Sequence, residues 1–188
     1  MNELILLTDF WTEPNVINYN NCKDYFYKSK GFDPFEKYIE KVNFNLEERN
    51  FENVIKAYKE TRQLSLFMLD KVSYCYKMQK NSALAAKYFM RYSEVAQVLL
   101  ETGDGSRENP YCCIYGSDSK ELINYLNEVY ARHYIIDFEG KKLETVVTKS
   151  NEEYFFDVTE LQNCKEEAVQ DRVDDMLKWF DANTNRPV

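Results

Sequence analysis

The chain has 188 residues, 44% of them hydrophobic and 30% charged, with 15 Tyr and 12 Phe but only 5 Gly and 4 Pro. That composition excludes a disordered or low-complexity chain and suits one domain, or two small packed subdomains, with a substantial core. The net charge of −8 is uneven, since residues 1–100 carry 14 Lys+Arg against 13 Asp+Glu and residues 101–188 carry 10 against 19, an acidic half that repels nucleic acid and anionic membrane and steers basic protein partners.

Residues 1–34 read as an irregular, aromatic-rich leader. Trp11, Pro14, the run Asn18-Tyr19-Asn20-Asn21 and Gly31-Phe32-Asp33-Pro34 supply turn chemistry, with one short helical or extended piece near Leu4 to Phe10. Leu4-Ile5-Leu6-Leu7 is too short for a signal-peptide core or a bilayer span and has no basic flank. A cytoplasmic protein without membrane contact is expected. Cys22, Cys75, Cys112, Cys113 and Cys164 lack CxxC spacing, which argues against a zinc site or disulfide framework and fits free thiols in a reducing compartment.

A helical subdomain is expected over residues 35–102. Its first helix, Phe35 to Lys41, follows Pro34. Asn45-Leu46-Glu47-Glu48 reads as a capping box opening the next, whose Phe51, Val54, Ile55 and Tyr58 form one stripe at i, i+3, i+4 and i+7. Leu64 to Met78 is apolar nearly all round and should be the central helix. After Gln79-Lys80-Asn81-Ser82, the residues Leu84, Ala85, Tyr88, Phe89, Tyr92, Val95, Ala96 and Leu99 give the cleanest 3.6-residue period in the chain. Short polar turns between these helices suggest antiparallel hairpins of repeat-like geometry, similar to a tetratricopeptide pair but without a fixed period of about 34 residues.

Leu99 to Leu126 is the joint between the halves. Gly103 and Gly105 bracket Asp104, and a left-handed glycine at the helix end predicts a stop near Thr102. Phosphate-loop and EF-hand patterns are absent there. Tyr111 to Tyr115 reads as a strand, and Asp118-Ser119-Lys120-Glu121 as a capping box for a helix carrying Leu122, Ile123, Leu126, Val129 and Tyr130. Three further strands, His133 to Phe138, Leu143 to Thr148 and Glu153 to Val158, are separated by Glu139-Gly140 and Lys149-Ser150-Asn151, which predicts an antiparallel meander with the Tyr111 strand at one edge. A last helix, Leu161 to Ala182, places Leu161, Cys164, Ala168, Val173, Met176, Leu177 and Phe180 on one side and acids largely on the other. Fraying is expected at 183–188. The expected fold is α+β: the leader 1–34, helical hairpins over 35–102, and a small antiparallel sheet with one or two helices over 103–188.

The run Thr102-Gly103-Asp104-Gly105-Ser106, then Asn109-Pro110-Tyr111, the helix start at Ser117 to Leu126 and Tyr154-Phe155-Phe156-Asp157-Val158 resembles an uncharacterised bacterial family, domain of unknown function 4919, over roughly residues 75–162. The family has no assigned activity, so the resemblance implies none. Its members often begin with an export signal, and none is expected in this chain.

No GxSxG, HExxH, Rossmann or P-loop pattern occurs, and the single histidine, His133, has no Ser or Cys in a nucleophile motif beside it. No cofactor or metal is called for. The leading expectation is a protein-binding or adaptor module whose acidic last helix, through Glu166, Glu167, Asp171, Asp174 and Asp175, engages a basic protein. One form is an immunity-type inhibitor of a basic toxin. A rival expectation is an enzyme or small-molecule binder with a pocket at the joint lined by Asp104, Tyr111, Tyr115 and His133. The third is a structural homo-oligomer docked through the aromatic leader.

Overall fold

A computed structural model describes residues 2–61 and 64–184, with backbone alone at 60–61 and 180–184. Residues 1–34 are not an irregular leader. They form two helices, α1 (Glu3–Thr12) and α2 (Val16–Lys28). The Asn2 side chain accepts from Leu4 N at 3.2 Å and that of Asn15 from Asn18 N at 2.9 Å, so asparagine acts at the two helix starts as a cap. Leu6, Leu7 and Phe10 from α1 and Tyr19, Cys22 and Phe26 from α2 are buried. Their i, i+3 or i+4, i+7 spacing outweighs the low helix propensity of the intervening asparagines.

The helices that follow are α3 (Tyr38–Glu47), α4 (Phe51–Thr61), α5 (Leu66–Met78) and α6 (Ser82–Glu101). The expected cap at Asn45 is corrected: Asn45 lies inside α3, donates to Lys41 O at 2.7 Å and accepts from Asn53 Nδ2 at 3.0 Å. Asn45 therefore ties α3 to α4 instead of opening a helix. The Val54, Ile55 and Tyr58 stripe is buried as the spacing predicts, and α5 is the central helix, packed against α4, α6 and the later helix at Gly116–Tyr125. Ser65 caps α5 and Asn81 caps α6. Of the α6 stripe, Phe89 is exposed while Tyr88, Tyr92, Val95, Ala96 and Leu99 are buried.

Strand β1 covers only Tyr111–Cys112, and α7 runs Gly116–Tyr125. Then come β2 (Tyr130–Phe138), β3 (Lys141–Thr148), β4 (Glu153–Asp157) and α8 (Thr159–Thr184). Asp118 does not sit at the cap position of α7. It occupies the third helical position and accepts from Tyr115 N at 3.3 Å. The sheet order is β1-β4-β3-β2. β2, β3 and β4 form the expected meander, but β1 pairs with β4 in parallel, Tyr111 opposite Phe156. The sheet is mixed, not antiparallel throughout. The fold is α+β, with Val146, Phe156, Val158 and Leu161 joining the sheet to the helical core.

The helix before the joint does stop at Glu101, with a different cause from the one expected. Thr102 is the C-cap in right-handed geometry, its hydroxyl donating to Leu99 O at 2.6 Å and accepting from Cys112 N at 2.9 Å. Only Gly105, at φ +76°, takes the left-handed conformation. Gly103 is required by contact instead, because a Cβ there would fall on the backbone carbonyls of Pro110 and Asn109.

Candidate interaction surface

Helix α8 is anchored at its start. The Asp157 carboxylate accepts from Thr159 N at 3.1 Å and from the Thr159 hydroxyl at 2.6 Å, closing the first turn. Leu161 is buried, Cys164 Sγ contacts Tyr27 O at 3.8 Å, Lys23 pairs with Glu160 at 3.4 Å and Lys142 pairs with Glu166. Leu161, Cys164 and Ala168, at i, i+3 and i+7, thus form the docked face. Farther along α8, the Arg172 guanidinium lies over the Phe35 ring, 5.2 Å from its centroid.

Beyond Ala168 every residue from Val169 to Trp179 is exposed. Val173, Met176 and Leu177, expected on one side with Leu161, Cys164 and Ala168, do not join that docked face, with Val173 43% and Met176 60% exposed. The side chain of Phe180, placed on that side too, falls outside the described residues, as do residues 185–188 of the expected frayed end. Helical geometry gives the reason. Val169, Val173 and Met176 repeat at i, i+4 and i+7, but their stripe starts one residue after Ala168 and is turned by about 100° from the docked face. It lies to one side of the docked face and is exposed.

The acidic candidates fall into two groups. Glu167, Asp171 and Asp174 repeat at i, i+4 and i+7, two residues out of step with the apolar stripe and therefore about 200° around the helix from it. Glu166 and Asp175 lie off that line, the former engaged with Lys142 and the latter 3.4 Å from Lys178. Glu167 and Asp171 also line a cleft of about 270 Å³, opposite Lys28, Lys30 and Phe32. On the other side of the α8 base a cleft of about 300 Å³ holds Lys23, Lys141, Asp157 and Glu160. There the charges pair with one another, Lys23 with Glu160 and Lys141 with Asp157.

The joint-pocket candidates are not gathered. Asp104 is exposed and spends its carboxylate on the turn, accepting from Ser106 N at 2.9 Å, contacts that hold its pKa below the ordinary range. Tyr111 fills the space over Gly105 and meets the Phe156 ring. Tyr115 is fully buried against Phe26 and Phe32. His133 lies on β2, three strand spacings from β1, about 14 Å at 4.8 Å per strand. Its Nδ1 is 2.5 Å from Glu144 Oε1, a diagonal cross-strand pair between an exposed ring and a buried carboxylate. The thiols are poor nucleophiles as placed, since burial pushes Cys22 up to about 12 and Cys75 to about 11.

A buried polar hub escaped the sequence analysis. Glu36 Oε1 accepts from Ser117 Oγ at 2.6 Å and Tyr38 Oη at 2.8 Å, while Oε2 accepts from Ser117 N at 2.9 Å. Asp118 Oδ1 accepts from Leu66 N at 2.9 Å. Burial and the nearby Glu36 carboxylate hold Asp118 well above the usual carboxylate range, partly offset by the amides of Leu66 and Tyr115. Both carboxylates thus satisfy orphan amides at helix N-termini, joining the 29–37 connection, α5 and α7. This is structural work. Among the described residues no cluster of three or more His, Cys, Asp or Glu is arranged to hold a metal ion, and no helix is long and apolar enough to cross a membrane. Comparison of the chain with protein-family models, curated proteins and solved structures found no match.

Proposed function

We propose that the chain is a protein-binding module whose contact element is the outer part of α8, and that its partner offers an apolar groove with basic residues nearby. The observation that carries this reading is the exposed Val169, Val173 and Met176 stripe, which the body of the protein does not cover. An amphipathic helix laid into a groove uses anchors at such spacing. Between Thr159 and Thr184 the helix carries seven acidic residues against three basic ones, so its field accelerates encounter with a basic partner and disfavours acidic ones. An immunity-type inhibitor that masks a basic toxin is one concrete form of this module.

The test captures partners from the lysate of the protein's own cells on three baits. These are the wild type, an apolar-stripe variant (Val169→Asp, Val173→Asp, Met176→Asp) and an acidic-stripe variant (Glu167→Gln, Asp171→Asn, Asp174→Asn). A stoichiometric basic protein that is lost from the first variant, and whose capture by the second has lost its salt dependence, supports the reading. The same protein captured equally by all three baits overturns it. Circular dichroism establishes that each bait keeps its helices.

A further inference from the structure

The outer edge of β2 is a second unused surface, independent of α8. β3 occupies its inner edge and α7 packs near its start, while the backbone groups of 131–138 that face outward have no partner among the described residues. Residues 131–135 and 137 are exposed, with Ile135 at 51%. A nine-residue open edge is a template for another strand.

The sequence of that edge suits a second copy of itself. A register irregularity between Tyr130 and Arg132 limits regular pairing to Arg132–Phe138, a seven-residue run whose midpoint is Ile135. We infer that two copies of this chain join through β2, antiparallel about a two-fold axis at Ile135, into one continuous eight-stranded sheet. In an isologous contact of this kind residue i meets residue j and j meets i. Keeping paired side chains on a common face puts Ile135 opposite its own copy and Tyr134 opposite Ile136 of the second copy. His133 then faces Asp137, and Arg132 faces Phe138, each pair occurring twice. An imidazole whose Nδ1 holds Glu144 thus meets a carboxylate, and a guanidinium meets the Phe138 ring, which Arg107 approaches at 5.6 Å within the same copy, both compatible cross-strand pairings. The alternative register centred on Tyr134 pairs His133 with Ile135 and Arg132 with Ile136, and loses both. Charges that would guard an edge against foreign strands are therefore complementary under this one symmetry.

The test is sedimentation velocity over a concentration series, for the wild type and for Ile135→Lys, which places two ammonium groups against each other on the axis. The expected result is a concentration-dependent species of twice the chain mass in the wild type and monomer throughout in Ile135→Lys, with matching thermal melts. Register is read by a short bifunctional thiol reagent. Ile135→Cys cross-links two copies efficiently, while Tyr134→Cys, displaced from its own copy, stays at the wild-type background set by the native cysteines. A wild type that is monomeric at all concentrations overturns the inference and leaves the edge to an extended segment of another protein. A dimer that survives Ile135→Lys but is lost on Val173→Asp overturns it as well, and would place self-association on α8.

Discussion

Replacing Gly103 by Ala tests whether the joint is held by contact or by backbone conformation. An ideal Cβ at position 103 would lie 2.5 Å from Asn109 O and closer still to Pro110 O, well inside van der Waals separation. Both atoms belong to the backbone, so no side chain can rotate away. That backbone is pinned by Asp104 N donating to Asn109 O at 3.0 Å and Cys112 N donating to the Thr102 hydroxyl at 2.9 Å. Accommodation requires the 103–110 loop to open and both bonds to weaken, which at about 1 kcal/mol per hydrogen bond plus about 1–3 kcal/mol of overpacking amounts to about 3–5 kcal/mol. Gly140→Ala is the control. Gly140 has φ +81° with nothing within 4 Å of its Cβ position, so only the left-handed penalty of about 1–2 kcal/mol applies. Urea unfolding of both variants, with the wild-type m-value retained, measures the difference. If Gly103→Ala costs no more than Gly140→Ala, the steric account of the joint is wrong.

Other substitutions probe the buried polar groups. Asp118→Ala leaves the amides of Leu66 and Tyr115 without their acceptor and is expected to cost about 2–5 kcal/mol by denaturant titration. Because the folded-state pKa of Asp118 is raised, the folded protein holds that proton more tightly than the unfolded chain. The Asp118 contribution is therefore greatest below its unfolded pKa of about 4 and declines as pH rises toward the folded value, so the gap between wild type and Asp118→Ala should narrow with rising pH. Tyr19→Phe removes the hydroxyl that accepts from Ile114 N at 3.1 Å, and a loss of about 1–3 kcal/mol is expected in the same assay. Thr145→Val should do the reverse, raising stability by about 1 kcal/mol, because its buried hydroxyl has no partner among the described residues.

The parts of the fold legible in the sequence are those set by neighbours along the chain. The β2–β3–β4 meander follows from alternation and two short turns, α5 from its nearly continuous apolar run and α6 from its periodicity. What was not legible depends on residues far apart. The parallel pairing of Tyr111 with Phe156 leaves no local signature. Neither does the hub, in which Glu36 meets Ser117 and Asp118 meets Leu66. In α1 and α2, asparagines that look like turn residues serve as caps or ride on helix faces, and the signal that could have found those helices was the Tyr19, Cys22, Phe26 spacing. In α8 two apolar stripes offset by one residue look like a single broad face in the sequence. Only the extent of the body decides that Leu161 is buried and Val173 is not. The joint residues Asp104, Tyr111, Tyr115 and His133 are close in the chain yet are distributed across the sheet order and the core.

The tyrosines of α2 impose an order on synthesis. Tyr27 Oη donates to Cys113 O at 2.9 Å and Ile114 O at 3.1 Å, and Tyr19 Oη accepts from Ile114 N, so α2 is bonded to a segment made 86 to 95 residues later. At roughly 5–20 residues per second, the ribosome takes about 4–20 s to supply that segment. Tyr19 and Phe26 must wait through this interval for the Ile114 backbone and the Tyr115 ring that complete their surroundings. In the nascent chain α2 can therefore dock on α6 first, and its two tyrosine hydroxyls find their final backbone partners only when Cys113 and Ile114 emerge.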